Sequence, residues 1–117
     1  MTGTDFERAC AALYAWREAH KGGFNGMLGV LFVLRNRAQA GWNDGSWLKI
    51  MEDMETSEPW SFPDTREPTF QRLLQWVDGV YDGTIEDKIT NGALYHYNPI
   101  LAGIERCAVV GGMTFYK

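Results

Sequence analysis

The chain holds two histidines, two cysteines and fifteen acids, and their spacing removes most familiar chemistries. His20 and His96 lie far apart, and no HExxH, CxxC or calcium-loop pattern is present, so no metal site is expected. There is no GxSxG, no glycine-rich phosphate loop, and neither Cys10 nor Cys107 has a cysteine-protease context. What remains is acid/base work by carboxylates. Most of the acids have ordinary explanations. Asp5 and Glu7 suit the first turn of a helix, where the macrodipole favours negative charge. Glu52, Asp53 and Glu55 form a solvated run, and Asp44 and Asp82 precede glycines as turn residues. Glu18, in "WREAHKGG", differs. It borders an apolar stripe, precedes the Gly22–Gly23 break, and stands near a helix C-terminus where the dipole opposes its charge. Burial and dipole there both raise a carboxyl pKa, as a general acid requires. On spacing alone, a merely solvated glutamate at a helix edge is the commoner case.

The elements that must position Glu18 are legible from local signals. "TDFE" is a capping box at Thr4 and Glu7, after which Phe6, Cys10, Leu13 and Tyr14 fall on one helical stripe with Glu18 at its edge. A second helix follows, with Asn25 able to cap it. "GMLGVLFVLRNRAQA" is apolar on nearly all sides, as expected of a buried central helix that stops at Gly41. Gly26 and Gly29 are costly in a helix and imply that another backbone approaches closely there. Asn36 and Arg37, at its end, are expected to bond neighbouring backbone. A short helix starts at a Ser46 cap. "ETSEPWSFPDTREP" is a proline-broken loop, and Pro68 opens a third long helix with Phe70, Leu73, Leu74, Val77 and Tyr81 on one face, ended by Gly83. "ALYHY" reads as a short strand ended by Pro99, and "CAVVGGMTFY" as a hairpin turning at Gly111–Gly112. The expected class is α+β and mostly helical. Three main helices are joined by a small antiparallel sheet from the C-terminal third, in a single domain over residues 1–117.

With 117 residues, 45% hydrophobic and 22% charged, the chain is ordinary globular material. A net charge of −4 and the lack of a Lys/Arg cluster exclude a nucleic-acid partner. No apolar run is long enough to span a membrane. The N-terminus has neither a basic flank nor an apolar core segment, so no secretory signal is expected. Cys10 and Cys107 are expected as buried free thiols, with pairing open if the termini meet. Five tryptophans in so short a chain either fill the core or line a groove, since indoles cover sugar faces as well as they pack inside.

Several stretches, taken together, resemble the SleB-like cell wall hydrolases, a family of spore-cortex lytic enzymes and phage lysins. "EAHKGGFNG" resembles the family's catalytic Glu-Ala opening, and "GMLGVLFVLRNR" resembles its glycine, small-Val pair and terminal Asn-Arg. "PWSF" resembles an aromatic-Ser segment, "NGALYHYNP" a Gly-Ala-aromatic-Asn-Pro element, and "VVGGMTFYK" the closing motif. These span residues 13 to 117 in family order. Three positions depart from the pattern. The family's second glutamate falls near Gly22 or Gly23, Pro59 stands where glutamine is usual, and the closing histidine is replaced near Met113.

The resemblance implies a lysozyme-like fold that cleaves the β-1,4 glycan strand of peptidoglycan between N-acetylmuramic acid and N-acetylglucosamine. The family's best-studied members look like lytic transglycosylases, and Glu18 is then the catalytic acid. Most glycosidases need two carboxylates, whereas transglycosylation needs one, so the lack of an obvious second acid favours it. Trp60 and Ser61 on the proline-broken loop, and Tyr95, His96, Tyr97 and Asn98 of "ALYHYN", are the candidate substrate contacts. Tyr95 and Tyr97 share one strand face and His96 the other, so not all three reach substrate. The expected partner is the peptidoglycan glycan strand, with no cofactor, no metal, no membrane and a monomeric chain. A phage endolysin made in the host cytoplasm and acting on the wall after release fits these features. A hydrolytic N-acetylmuramidase and a non-catalytic wall-binding or virion protein are the alternatives.

Overall fold

The computed structural model describes residues 3–54, 58–97 and 105–117, with the side chains of residues 3, 4 and 97 outside the description. Four α-helices precede a three-stranded sheet: α1 Gly3–Ala19, α2 Gly23–Gln39, α3 Trp47–Asp53, α4 Pro68–Asp82, β1 Tyr95–Tyr97, β2 Arg106–Val110 and β3 Met113–Tyr116. The α+β, mostly helical class expected from the sequence is the observed one. No helix among the described residues is long and apolar enough to cross a membrane.

The central helix is α2. Its residues from Gly26 to Arg35 are all buried, and α1, α3 and α4 all pack on it. Asn36 Nδ2 donates to the Ala93 carbonyl at 3.0 Å and Arg37 Nε to the Leu94 carbonyl at 2.6 Å, the backbone bonds anticipated for this pair. They stitch the end of α2 to the chain entering β1. Asn25 does not cap α2. The helix begins at Gly23, directly after a single 3₁₀ turn over His20–Gly22, and Asn25 lies exposed within it. The glycine pair turns the chain so sharply that the helix starts ahead of the polar residue.

The buried face of α1 is not the stripe that periodicity suggests. Ala11, Ala12, Ala15 and Ala19 are essentially sealed beside Tyr14, while Phe6 is 51% exposed. A helix lined with alanines lets its axis approach an all-apolar neighbour closely, and tight packing there outweighs the larger side chains at Cys10 and Leu13. The Thr4 side chain of the expected capping box lies outside the described residues, and Glu7 has further partners. Its carboxylate accepts from the Leu48 amide at 3.2 Å and from the Tyr81 hydroxyl, tying α1 to α3 and α4.

The other helix signals act as read. Ser46 Oγ accepts from the Lys49 amide at 3.3 Å at the start of α3. Pro68 occupies the first turn of α4, where the Glu67 carboxylate accepts from the Phe70 amide at 2.8 Å, and Gly83 ends the helix with φ of +78°. Phe70, Leu73 and Val77 are buried as anticipated, with Val80 completing the face.

The sheet runs in the order β1-β3-β2, antiparallel throughout, with His96 opposite Phe115 and Val110 opposite Met113. Gly111 and Gly112 turn the hairpin with φ of +56° and +75°, the pair of positive values that a two-residue turn demands. All four residues of β3 are buried. The Phe115 ring explains Gly29, where an added Cβ would lie 2.5 Å from Phe115 Cζ. At Gly26 the neighbours include backbone, the carbonyl oxygens of Ala19 and Val110 at 3.6 and 3.9 Å from an added Cβ, but the tightest approach of two backbones lies nearby. It joins Gly22 to Gly111, where a Cβ on Gly22 would stand 2.1 Å from the Gly111 carbonyl oxygen. The hairpin tip is thereby docked against the end of α1. Cys10 and Cys107 are unpaired and half-buried, and burial pushes both thiols upward.

Candidate active site

Glu18 sits in the last turn of α1, half-buried, and one helical turn after Tyr14. That four-residue spacing puts the two side chains on one face, and the Tyr14 hydroxyl hydrogen-bonds with the Glu18 carboxylate. The same hydroxyl lies 3.5 Å from Met54 Sδ. Burial, and then the negative charge of Glu18, push the Tyr14 phenol far above its ordinary range, so it is always a donor.

Beside Glu18 opens a cavity of about 240 Å³, between the end of α1 and the hairpin tip at Gly111–Met113. Four further titratable residues line it, Arg17, His20, Lys21 and Glu58. The His20 ring stacks on Trp16 with centroids 5.0 Å apart, and its Nδ1 lies 2.8 Å from the Trp16 carbonyl. A carbonyl only accepts, so Nδ1 carries a proton and donates it to that oxygen. Glu58 arrives from the loop between α3 and α4. Arg17 Nε donates to its backbone carbonyl at 3.0 Å, which holds that loop against α1.

The same loop carries the aromatic residues. Trp60 and Phe62 are 64% and 69% exposed, with rings parallel to within 2° and centroids 5.7 Å apart. The Arg17 guanidinium lies 3.8 Å from the Trp60 ring centroid, so the indole is held from within while its partner faces out. Ser61 points the other way, as alternation in an extended segment requires, and its Oγ accepts from Trp16 Nε1 at 3.4 Å. Ser61 is therefore a loop anchor. Under the aromatic pair runs an apolar trough of about 490 Å³, lined by Leu13, Tyr14, Met51 and Met54 and sharing Arg17 with the Glu18 cavity.

The strand residues divide as pleating dictates. The His96 ring meets Tyr14 edge-on with centroids 6.4 Å apart, and its Nε2 is buried without a hydrogen-bond partner among the described residues. Burial, and then the positive charge of Arg37, push its pKa down to about 4, so the ring is neutral at ordinary pH. It backs Tyr14, behind the cavity. Tyr95 faces away, packing edge-on against Trp42 at 5.7 Å with the Arg37 guanidinium 5.1 Å from its ring. It belongs to the packing of β1 on the end of α2 and not to the surroundings of Glu18. Asn98 and the Tyr97 side chain lie outside the described residues.

The structure thus gathers Glu18, Trp60 and Ser61 around Arg17 and Trp16, places His96 one layer back, and separates Tyr95. It adds Tyr14, Arg17, His20, Glu58 and Phe62. Phe62 had a local signal, since two aromatics two residues apart in a proline-flanked segment share a side. Glu58 and Arg17 had none, because their meeting depends on how the loop folds back. Among the described residues, no three His, Cys, Asp or Glu side chains converge as a metal site would need. Compared with protein-family models, curated proteins and solved structures, the chain gives no significant match.

Proposed function

We propose that the chain degrades peptidoglycan by cleaving the β-1,4 glycan strand between N-acetylmuramic acid and N-acetylglucosamine, as a lytic transglycosylase with Glu18 as its acid. The observation that carries this reading is a half-buried glutamate on the wall of an open cavity, oriented by the Tyr14 hydroxyl, with two exposed aromatic rings on the adjoining loop. The sequence resemblance to the SleB-like cell wall hydrolases supports the substrate class and, with it, a lysozyme-like arrangement of the helices. A phage lysin acting on the wall after release is the setting that fits.

In this mechanism Glu18 gives its proton to the glycosidic oxygen as the C1–O bond breaks. The substrate's own N-acetyl group stabilises the positive charge that develops at C1. The Glu18 carboxylate then takes the proton of the muramic C6 hydroxyl, whose oxygen closes on C1 to leave a 1,6-anhydro end. Intramolecular attack has a high effective concentration and needs no water. Tyr14 steers the carboxyl group, and the Trp60–Phe62 pair offers apolar ring faces to the sugars.

Glu18→Gln is expected to reduce release of soluble fragments from purified peptidoglycan by at least about 100-fold, the usual weight of a general acid. The thermal unfolding midpoint should stay near that of the wild type. Lysis that persists in this variant rules out the acid assignment. A non-catalytic wall-binding protein is the second reading, favoured by the exposed aromatic pair, which grips a sugar with or without turnover. Co-sedimentation with insoluble peptidoglycan and no fragment release by the wild type is the result that supports it.

A further inference from the structure

We propose that Glu58 is a second catalytic carboxylate, the base that directs water onto C1, so that the enzyme forms hydrolysed reducing muramic ends alongside anhydro ends. This rests on glycan cleavage through Glu18. Glu18 and Glu58 line one cavity yet come from different elements, the end of α1 and the loop before α4. The loop is fixed at Glu58 itself and again at Ser61. Arg17 Nε holds the Glu58 carbonyl at 3.0 Å, and Trp16 Nε1 holds Ser61 Oγ at 3.4 Å. Elsewhere in the fold, Glu7 bridges helices, Glu67 caps α4, Asp78 and Asp82 pair with Arg8, and Asp87 organises a loop. None of those lines this cavity.

Two carboxylates in one cleft are what hydrolysis of a glycoside requires and what transglycosylation does not. A water needs only roughly 10–15 Å³ of cavity, so a space of about 240 Å³ holds one beside a sugar ring. Both routes share the first step, in which Glu18 protonates the leaving oxygen and the C1–O bond breaks. They part at the nucleophile. The C6 hydroxyl loses its proton to Glu18, whereas water forms its bond to C1 as its proton passes to Glu58. In the second route one water is consumed, and the proton returns from Glu58 to Glu18 through solvent.

Digestion of purified peptidoglycan in ¹⁸O-labelled water, with the muropeptides resolved by mass spectrometry, tests this. The wild type should give labelled reducing ends together with anhydro ends. Glu58→Gln should lower the reducing ends by about 100-fold, the scale of a lost general base, while anhydro ends continue. Glu58→Asp should restore part of the hydrolysis. Wild-type product that is entirely anhydro, or an end ratio insensitive to Glu58→Gln, overturns the role of Glu58 and leaves glycan cleavage standing. Loss of both products in Glu58→Gln with an unchanged unfolding midpoint also overturns it. A wild type that releases no fragments at all fails the underlying reading instead.

Discussion

At the scale of single residues, the pair of rings behind Glu18 combines support with vulnerability. Tyr14 reaches the carboxylate with its hydroxyl and leans its ring on His96, whose Nε2 has no hydrogen-bond partner among the described residues. A buried imidazole tolerates that only while neutral, because a buried unpaired charge is far costlier than a buried neutral ring. Unfolded, the ring titrates near 6.5, and folded it titrates near 4. Between those values the unfolded chain binds the additional proton. Stability from this residue is therefore fully present above about pH 6.5 and declines as pH falls toward 4, by up to about 3 kcal/mol. Urea unfolding at pH 7 and pH 4.5 checks this, and His96→Phe should flatten the slope across that window. An unchanged slope in the variant would place the pH dependence on other groups.

At the scale of elements, the connection from α4 to β1 is ordered by one carboxylate. Asp87 Oδ1 accepts from the Ile89 and Thr90 amides at 3.0 and 2.8 Å, and Oδ2 accepts from the Gly92 amide and Asn36 Nδ2, both at 3.1 Å, and from the Thr90 hydroxyl. Burial opposes ionisation of Asp87, yet these bonds, led by those from Thr90, overcome it and hold the carboxyl below its usual range. An irregular segment with no ladder of its own is thus satisfied by a side chain. Asp87→Ala strands several amides at once and should cost about 3 kcal/mol, read as a lower denaturation midpoint with an unchanged urea m-value. Because this carboxyl is depressed in the fold, its contribution is present above about pH 4 and is lost as pH falls further.

At the scale of the whole molecule, helices and sheet meet where the Glu18 cavity opens. Gly22 and Gly111 let two backbones touch, so the hairpin tip forms one wall and the end of α1 the other. Gly22→Ala cannot be absorbed by a side-chain rotation, since the Cβ meets a backbone carbonyl at 2.1 Å. The hairpin must move, at about 1–3 kcal/mol. A lowered unfolding midpoint together with loss of fragment release is expected. Gly112→Ala, which meets no atom within 4 Å but carries a positive-φ penalty at +75° that Gly22, with φ of −89°, does not, is the comparison that separates turn strain from lost docking. Equal loss of release in the two variants would argue against the docked contact.

The sequence by itself determined most boundaries of the elements and singled out Glu18 at a helix end. Ser46, Pro68 with Gly83, and Gly111–Gly112 mark their boundaries by chemistry that acts over a few residues, and Glu18 announces itself by its place at the last turn of α1. Tertiary structure decided the rest. Periodicity marks a stripe on α1 but not which side meets α2, and there the small alanines prevail because close packing of two helix axes favours them. The placing of Glu18 and Glu58 on one cavity, and the contacts of Arg17 with Trp60 and of Gly22 with Gly111, join residues 40 or more positions apart. No local pattern encodes such pairs, since they exist only once burial of the α2 core has folded the loop and hairpin back onto the end of α1.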